Sequence, residues 1–241
     1  MTSRVEQVAV PGGAYDLTVW LPSGDGSGPG VLLIPEIFGV GDYIRAVAND
    51  LTGQGYVVAA PDLFWRLRPG WGVVHDEEGV RSSLELSRDF DFEQGVADCA
   101  AGLRHLTTLP EVGGAGHGAG ILGFCLGGSI AYVLAAQNAA VAVVSFYGSA
   151  VPGTLELLDA IACPLQFHFG GADPYIPRDE VAKVEVAVRT RPAVEIHVEE
   201  EAGHAFHNRM APMFYVPEPA QRAWRRTEDF LSRHLPVRGG S

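Results

Sequence analysis

The sequence is short of cysteine and of long apolar runs, and both shortages limit where the protein can act. Its 241 residues contain three cysteines, Cys99, Cys125 and Cys163. An odd number at wide spacing is not a disulfide framework, and it is typical of a reducing compartment in which thiols persist. No stretch reaches the roughly 18 consecutive apolar residues of a membrane helix, and Met1–Val10 lacks the apolar core of a secretory signal. We therefore expect a cytoplasmic protein with no membrane partner.

Positive charge is also in short supply. Lysine and arginine together number 17 against 29 aspartate and glutamate residues, which gives a formal net charge of -12. A surface of this sign opposes binding to nucleic acid phosphates and to anionic lipid, so we expect neither as a partner. A small anionic substrate is not excluded, because local arginines such as Arg81 or Arg209 can override the field of the whole protein.

Apolar segments of strand length alternate along the chain with segments of helical periodicity. Strands are predicted at Leu17–Leu21, Val31–Ile34, Tyr56–Ala60, Ala119–Gly123, Val141–Tyr147, Leu165–Phe169 and Val194–Val198, and helices at Tyr43–Gln54, Phe92–Leu106, Leu126–Gln137, Asp179–Val188 and Glu218–Leu235. This alternation predicts the α/β class, with a mostly parallel central sheet and helices on both faces. The glycine-rich segment Gly24–Gly30 indicates a hairpin turn rather than a domain boundary. We expect residues 1–241 to form a single domain.

Residues 62–89 interrupt this pattern. A long irregular insertion in such a fold is more often a cap over the substrate than part of the core, so we expect a lid here. Trp65 and Trp71 could line a pocket or pack within the lid. His75 stands beside the acidic residues 76–78, but consecutive side chains do not converge on one ion, so we predict an acidic surface and no metal site.

The strongest motif is Gly123-Phe124-Cys125-Leu126-Gly127-Gly128, which follows a predicted strand and opens a predicted helix. It has the form of a nucleophile elbow, G-x-S-x-G, with cysteine in the serine position. The helix N-terminus favours a thiolate, and the Leu126 N–H is the expected oxyanion donor. The alternative is a buried structural cysteine between glycines that let the helix and the strand pack closely. We predict that Cys99 and Cys163 are inert packing thiols.

An acid and a base follow two later strands. Asp173 and His204 come just after the predicted strands Leu165–Phe169 and Val194–Val198. Alone, the first would be a turn former and the second a surface histidine. With Cys125 they give the chain order nucleophile, acid, base at the strand ends where α/β sheets hold their sites. We predict a triad in which His204 is the base toward Cys125 and Asp173 fixes its tautomer.

A second loop, Pro35-Glu36-Ile37-Phe38-Gly39, follows the predicted strand Val31–Ile34. Its Ile37 N–H is the candidate for the other oxyanion donor. Glu36 is unusual, because a carboxylate directly after an apolar strand is costly to bury without a partner. It either takes part in catalysis or caps a helix or forms a salt bridge.

These motifs resemble those of the dienelactone hydrolase (carboxymethylenebutenolidase) family of the α/β-hydrolase superfamily. The resemblance extends over nearly the whole chain and includes Gln54-Gly55-Tyr56, Ala60-Pro61-Asp62-Leu63, Phe90-Asp91, Gly170 to Asp173 and Glu200 to Phe206. It implies an α/β-hydrolase fold and a Cys-His-Asp lactonase without metal or cofactor, acting as a monomer on a small molecule. It also implies that Glu36 interacts with the resting nucleophile and helps to generate the thiolate when substrate enters.

The substrate contacts depart from the family's pattern. The resemblance leads us to expect two arginines that hold a substrate carboxylate, and a tyrosine nearby. Asn208 stands at one arginine position with Arg209 adjacent, and Arg81 is the candidate for the other. Leu84 lies near the tyrosine position, and Phe38 is a further candidate contact.

Three functions stay open on the sequence alone. The first is a hydrolase of cyclic enol esters related to dienelactone. The second is a hydrolase of other esters or thioesters with the same triad. The third is a catalytically silent binding protein, against which the intact triad, Glu36 and both oxyanion loops argue.

Overall fold

The computed structural model describes residues 2–137 and 140–237, and within them eight strands form one sheet. The strands are β1 (Thr2–Val10), β2 (Gly13–Leu21), β3 (Gly30–Ile34), β4 (Val57–Pro61), β5 (Ala119–Phe124), β6 (Val143–Phe146), β7 (Leu165–Gly170) and β8 (Val194–Glu199). The α-helices are α1 (Asp42–Gly53), α2 (Glu77–Ser87), α3 (Phe92–Thr108), α4 (Leu126–Ala136), α5 (Arg178–Val188) and α6 (Pro217–His234). A π-helical turn spans Pro110–Gly114, and a 3₁₀ segment spans Pro152–Ala160. None of these helices is long and apolar enough to cross a membrane.

The strand order is β1-β2-β4-β3-β5-β6-β7-β8. The β1–β2 and β2–β4 pairs are antiparallel, and all the others are parallel. Every residue of the five strands from β4 to β7 in this order is buried. Because successive strand residues face opposite sides of a sheet, both faces must be covered. The predicted mostly parallel α/β sheet is confirmed.

Two local predictions were wrong, and one strand was missed. Gly24–Gly30 is not a hairpin turn, because β4 lies between β2 and β3 in the sheet. Residues 62–89 are not irregular throughout, since they contain α2, whose N-cap Asp76 accepts a hydrogen bond from the Gly79 N–H. The strand β1 pairs only with β2 and is largely exposed, so its sequence carries no apolar alternation by which it could be recognised.

The central strands bring two loops to the same place. β3 runs parallel to β5 with Ile34 opposite Gly123, so the chain leaves both strands at the same level. α4 then begins directly against the end of β3. A Cβ atom added to Gly127 would lie 2.2 Å from the Ile34 carbonyl oxygen, a distance that real Cβ atoms do not reach. Glycine at this position therefore lets the Glu36–Ile37 loop lie beside the turn at Cys125.

This contact predicts that Gly127→Ala is strongly destabilising. The added methyl group meets backbone atoms that cannot move without separating α4 from β3, so we expect a loss of about 2–3 kcal/mol in the free energy of unfolding. Urea unfolding measures it. Gly53→Ala is the matched control, since its Cβ meets nothing within 4 Å at the end of α1. It should be neutral or stabilising by up to about 1 kcal/mol. Equal midpoints for the two variants would contradict the account.

Candidate active site

Cys125 occupies the turn between β5 and α4 in a strained backbone conformation. Its φ is 54° and its ψ is −114°, in a region that residues other than glycine rarely adopt. The turn is held by two backbone hydrogen bonds. The Cys125 N–H donates to the Phe146 carbonyl at 3.0 Å, and the Cys125 carbonyl accepts from the Ser129 N–H at 3.0 Å. The backbone thus has the shape that the elbow motif predicts, with the side chain at the carboxyl edge of the sheet.

The structure brings the three predicted triad residues together. His204 Nε2 lies 3.1 Å from Cys125 Sγ, and His204 Nδ1 lies 2.7 Å from Asp173 Oδ2. The Asp173 side chain is buried, and its other oxygen accepts hydrogen bonds from the Tyr175 and Ile176 N–H groups at 2.8 and 3.2 Å. Those two bonds fix the carboxylate, and the carboxylate fixes the imidazole. The result is a continuous chain from Sγ to a carboxylate.

The electrostatics of this chain favour an ion pair. Burial by itself lowers the pKa of His204, but its interaction with Cys125 and the hydrogen bond that it donates to Asp173 oppose this effect and raise that pKa to about 10. The imidazole therefore favours its protonated form at neutral pH, and the group that faces its Nε2 atom is Cys125 Sγ. A histidine that contacts the sulfur and is oriented by a carboxylate is an arrangement that can activate a cysteine as a nucleophile.

Two backbone N–H groups near the sulfur have no acceptor. Leu126 is the first residue of α4, where an N–H lacks a partner within the helix. Ile37 lies in the loop after β3 and lines the cavity beside Cys125. In the part of the chain that the structure describes, neither group donates a hydrogen bond. Trp71 Nε1 donates to the Ile37 carbonyl at 2.9 Å, so this tryptophan holds the loop and does not line the cavity.

Glu36 is buried, with 1% of its surface exposed, and it faces the same cavity as Cys125. Asn208 Nδ2 donates to its Oε2 atom at 2.8 Å. The Tyr147 hydroxyl lies 3.5 Å from Oε1, and His75 Nε2 lies 3.6 Å from Oε2. No arginine or lysine pairs with this carboxylate among residues 2–137 and 140–237. Its partners are an amide, a phenol and a histidine.

Two of these partners were not predicted from the sequence. His75 does not belong to an acidic surface, because it is buried with its ring 4.3 Å from that of Phe38. Tyr147 directly follows the strand β6 with a φ of 39°, whereas the sequence predicts it only as the last residue of the strand Val141–Tyr147. Burial of His75 depends on how residues 62–76 fold back over Phe38, and no local pattern encodes that.

Buried side chains pack against the turn at Cys125 on the side away from the cavity. The Tyr43 hydroxyl is 2.7 Å from His207 Nδ1, and the His207 ring stacks on Phe124 with centroids 5.5 Å apart. Burial, and secondarily the charge of Arg209, lowers the pKa of His207 to about 3, so this imidazole is neutral. His207 is therefore a buried, uncharged side chain. It packs against the residue that precedes the nucleophile.

The cavity in front of Cys125 has a volume of about 170 Å³. Its walls are mostly apolar side chains from the loop after β3, from α2 and from the loops near His204. The lining residues are Glu36, Ile37, Phe38, Val80, Leu84, Cys125, Ser149, Tyr175, His204, Ala205 and Phe214. Two of them, Val80 and Leu84, come from the predicted lid.

Of the four predicted substrate contacts, the structure brings only Phe38 to the cavity. Arg81 is mostly exposed and pairs with Glu78 and Glu85 along α2. Arg209 pairs with Asp50, and Asn208 is fully buried against Glu36. These three side chains already have partners, which is the physical reason why they do not reach the cavity.

The family model of the dienelactone hydrolase family matches residues 17–235 of this chain. A carboxymethylenebutenolidase from Pseudomonas sp. (strain P51) is 34% identical over 238 residues, which cover 98% of this chain and 98% of that protein. Another from Rhodococcus opacus is 31% identical over 226 residues, which cover 89% of this chain and 85% of that protein. The chain belongs to the dienelactone hydrolase family.

Solved structures of similar proteins agree with this family assignment. A protein from Klebsiella pneumoniae subsp. pneumoniae, assigned as a dienelactone hydrolase, has a TM-score of 0.82 at 27% identity and covers 96% of this chain and 98% of its own. Dienelactone hydrolase from Anabaena variabilis has a TM-score of 0.72 at 19% identity, with 97% and 98% covered, which shows the shared fold. The α/β-hydrolase fold is confirmed, and this dienelactone hydrolase family member is an enzyme, a hydrolase of carboxylic esters.

The ion pair predicts an unusual titration of His204. In the wild-type protein, NMR of labelled imidazole should give a pKa of about 10 for this residue. In Cys125→Ala the thiolate charge is gone while the burial remains, so the pKa of His204 should fall. Cys163→Ala removes a thiol away from the site and should leave the titration unchanged. An identical pKa in Cys125→Ala and wild type would show that no ion pair forms.

Proposed function

We propose that this family member opens a lactone, a cyclic enol ester of the dienelactone type, by nucleophilic catalysis at Cys125. The observation that supports the proposal most is the chain of contacts from Cys125 Sγ through His204 to Asp173. A thiolate of this kind attacks a carbonyl carbon, and two free N–H groups close by suit the negative charge that develops on the carbonyl oxygen.

In the proposed first half-reaction, the thiolate attacks the lactone carbonyl and the Leu126 and Ile37 N–H groups stabilise the oxyanion. Collapse of the tetrahedral intermediate breaks the ring C–O bond and forms a thioester on Cys125. The departing oxygen stays attached to the acyl chain and takes the proton from the His204 imidazolium. In the second half-reaction, His204 removes a proton from water, which attacks the thioester. Cys125 leaves as a thiolate, so the ion pair is restored.

We further propose that Glu36 tunes the resting nucleophile. Its carboxylate faces the same cavity as the thiolate, and Asn208, Tyr147 and His75 surround it without a fixed positive charge. Held by Asn208, the carboxylate leaves the Cys125–His204 pair undisturbed. Moved toward the sulfur, it would compete with that pair for the proton. The strength of the contact to Asn208 would therefore set how much of the enzyme is ready to react.

The remaining sequence predictions fit this proposal and stay predictions. They are a single domain over residues 1–241, a cap formed by residues 62–89, a monomeric state and a cytoplasmic location. The cap proposal draws support from Val80 and Leu84, whose side chains cover the cavity.

The direct test is the hydrolysis of dienelactone, followed by ultraviolet absorbance. Cys125→Ala should lower the rate by about 10³-fold or more, because the nucleophile is removed while the oxyanion donors remain. Glu36→Gln keeps the shape of the side chain and removes its charge, so it should lower the rate less and leave the unfolding midpoint close to that of wild type.

Cys99→Ala is the control, since this thiol is buried on α3 away from the cavity. It should keep the wild-type rate. Wild-type turnover by Cys125→Ala would exclude Cys125 as the nucleophile, and wild-type turnover by Glu36→Gln would exclude the role given to Glu36.

A further inference from the structure

We propose that the enzyme selects substrates whose acyl part carries no negative charge, and that Val80 and Leu84 on α2 impose this selectivity. The inference rests on the proposed function, because it concerns the substrate of the same site. On this inference the preferred substrate is an uncharged lactone or ester with an apolar acyl group, and not a dienelactone that carries a carboxylate.

The charges that face the cavity support this. Its lining contains no lysine and no arginine, and the ionisable groups are Glu36, Cys125, His204 and the phenol of Tyr175. Cys125 and His204 together carry no net charge, whichever of the two holds the proton that they share. The carboxylate of Glu36 leaves the cavity with negative charge in excess. An anionic acyl group would enter without a partner of opposite sign.

The nearest arginines on the cap and on the His204 loop are engaged elsewhere. Arg81 follows Val80 on α2, but its guanidinium lies 2.6 Å from Glu78 and 2.8 Å from Glu85 on the solvent side. Arg209 lies 2.7 Å from Asp50. Each would have to abandon a carboxylate of the protein to bind one of a substrate. The gain from the new pair would therefore be offset by the loss of the old one.

The shape and the lining of the cavity suit an apolar group. Phe38, Val80, Leu84 and Phe214 present hydrocarbon surface around the space in front of Cys125. A carboxylate buried against such a surface loses its hydration without compensation. A cavity of about 150 Å³ accommodates benzene, so the volume of about 170 Å³ found here fits an acyl group of one ring or a short branched chain.

Two esters that differ only in charge provide the test. One is the para-nitrophenyl ester of para-isopropylbenzoic acid, and the other is the mono-para-nitrophenyl ester of terephthalic acid. Both have a para-substituted benzoyl group of similar shape and the same leaving group. Release of nitrophenol is followed for wild type and for Cys125→Ala. We expect kcat/KM for the uncharged ester to exceed that for the anionic ester by about 10²-fold. The carboxylate of the anionic ester loses its hydration on entering the cavity, and no cation there compensates for that loss.

The variant Leu84→Arg places a cation at the cavity wall. It should raise kcat/KM for the anionic ester by about 10-fold, mainly through a lower KM, and should not raise it for the uncharged ester. Val186→Arg is the matched control, because Val186 is an exposed residue of α5 that does not line the cavity. It adds the same charge to the protein and should leave the ratio of the two esters unchanged.

The outcomes separate this inference from the function on which it rests. Equal kcat/KM values for the two esters, both lost in Cys125→Ala, would overturn the charge selectivity and leave the cysteine mechanism intact. The same shift in Val186→Arg as in Leu84→Arg would overturn the role of α2. Hydrolysis of neither ester by a preparation that opens dienelactone would overturn the preference for an apolar acyl group and leave the proposed function intact. Equal hydrolysis by wild type and Cys125→Ala would overturn the cysteine mechanism.

Discussion

The site depends on how closely the start of α4 approaches the neighbouring strands. A Cβ atom on Gly123 would lie 2.0 Å from the Gly127 carbonyl oxygen, and one on Gly128 would lie 2.4 Å from the Phe146 carbonyl oxygen. Only glycine permits backbone to lie against backbone at these distances. These close contacts accompany the positive φ of Cys125 and place the first N–H of α4 directly after the nucleophile candidate. They also fix the Glu36–Ile37 loop beside the sulfur.

Electrostatics then decides what the sulfur can do. Asp173 holds His204, and the contacts of this imidazole with Cys125 and Asp173 raise its pKa to about 10 despite its burial. Glu36 lines the same cavity with an amide as its principal partner, and no lysine or arginine of residues 2–137 and 140–237 pairs with it. The carboxylate of Glu36 thus lies beside both the proposed nucleophile and the space proposed for the acyl group. On this account it would influence reactivity and substrate charge together.

The parts of the site that could be predicted are those that local sequence encodes. The glycines around Cys125 predict a tight turn. Asp173 and His204 each follow a predicted strand, and a parallel sheet brings the ends of such strands to one edge. Side-chain partners of the cap could not be predicted in this way. Arg81 joins Glu78 and Glu85 only because residues 77–87 are helical, which places these side chains one turn apart. Asn208 and Glu36 are 172 positions apart, so their hydrogen bond exists only in the folded chain.

The central claim is that Cys125 carries the acyl group during turnover. The most direct measurement is intact-protein and peptide mass spectrometry of enzyme mixed with the uncharged para-nitrophenyl ester and quenched in acid within the first turnover. The account predicts one acyl group per chain, located on the peptide that contains Cys125 and absent from Cys125→Ala. A burst of nitrophenol with the acyl group on any other residue, or with no acyl group on the protein, would contradict it.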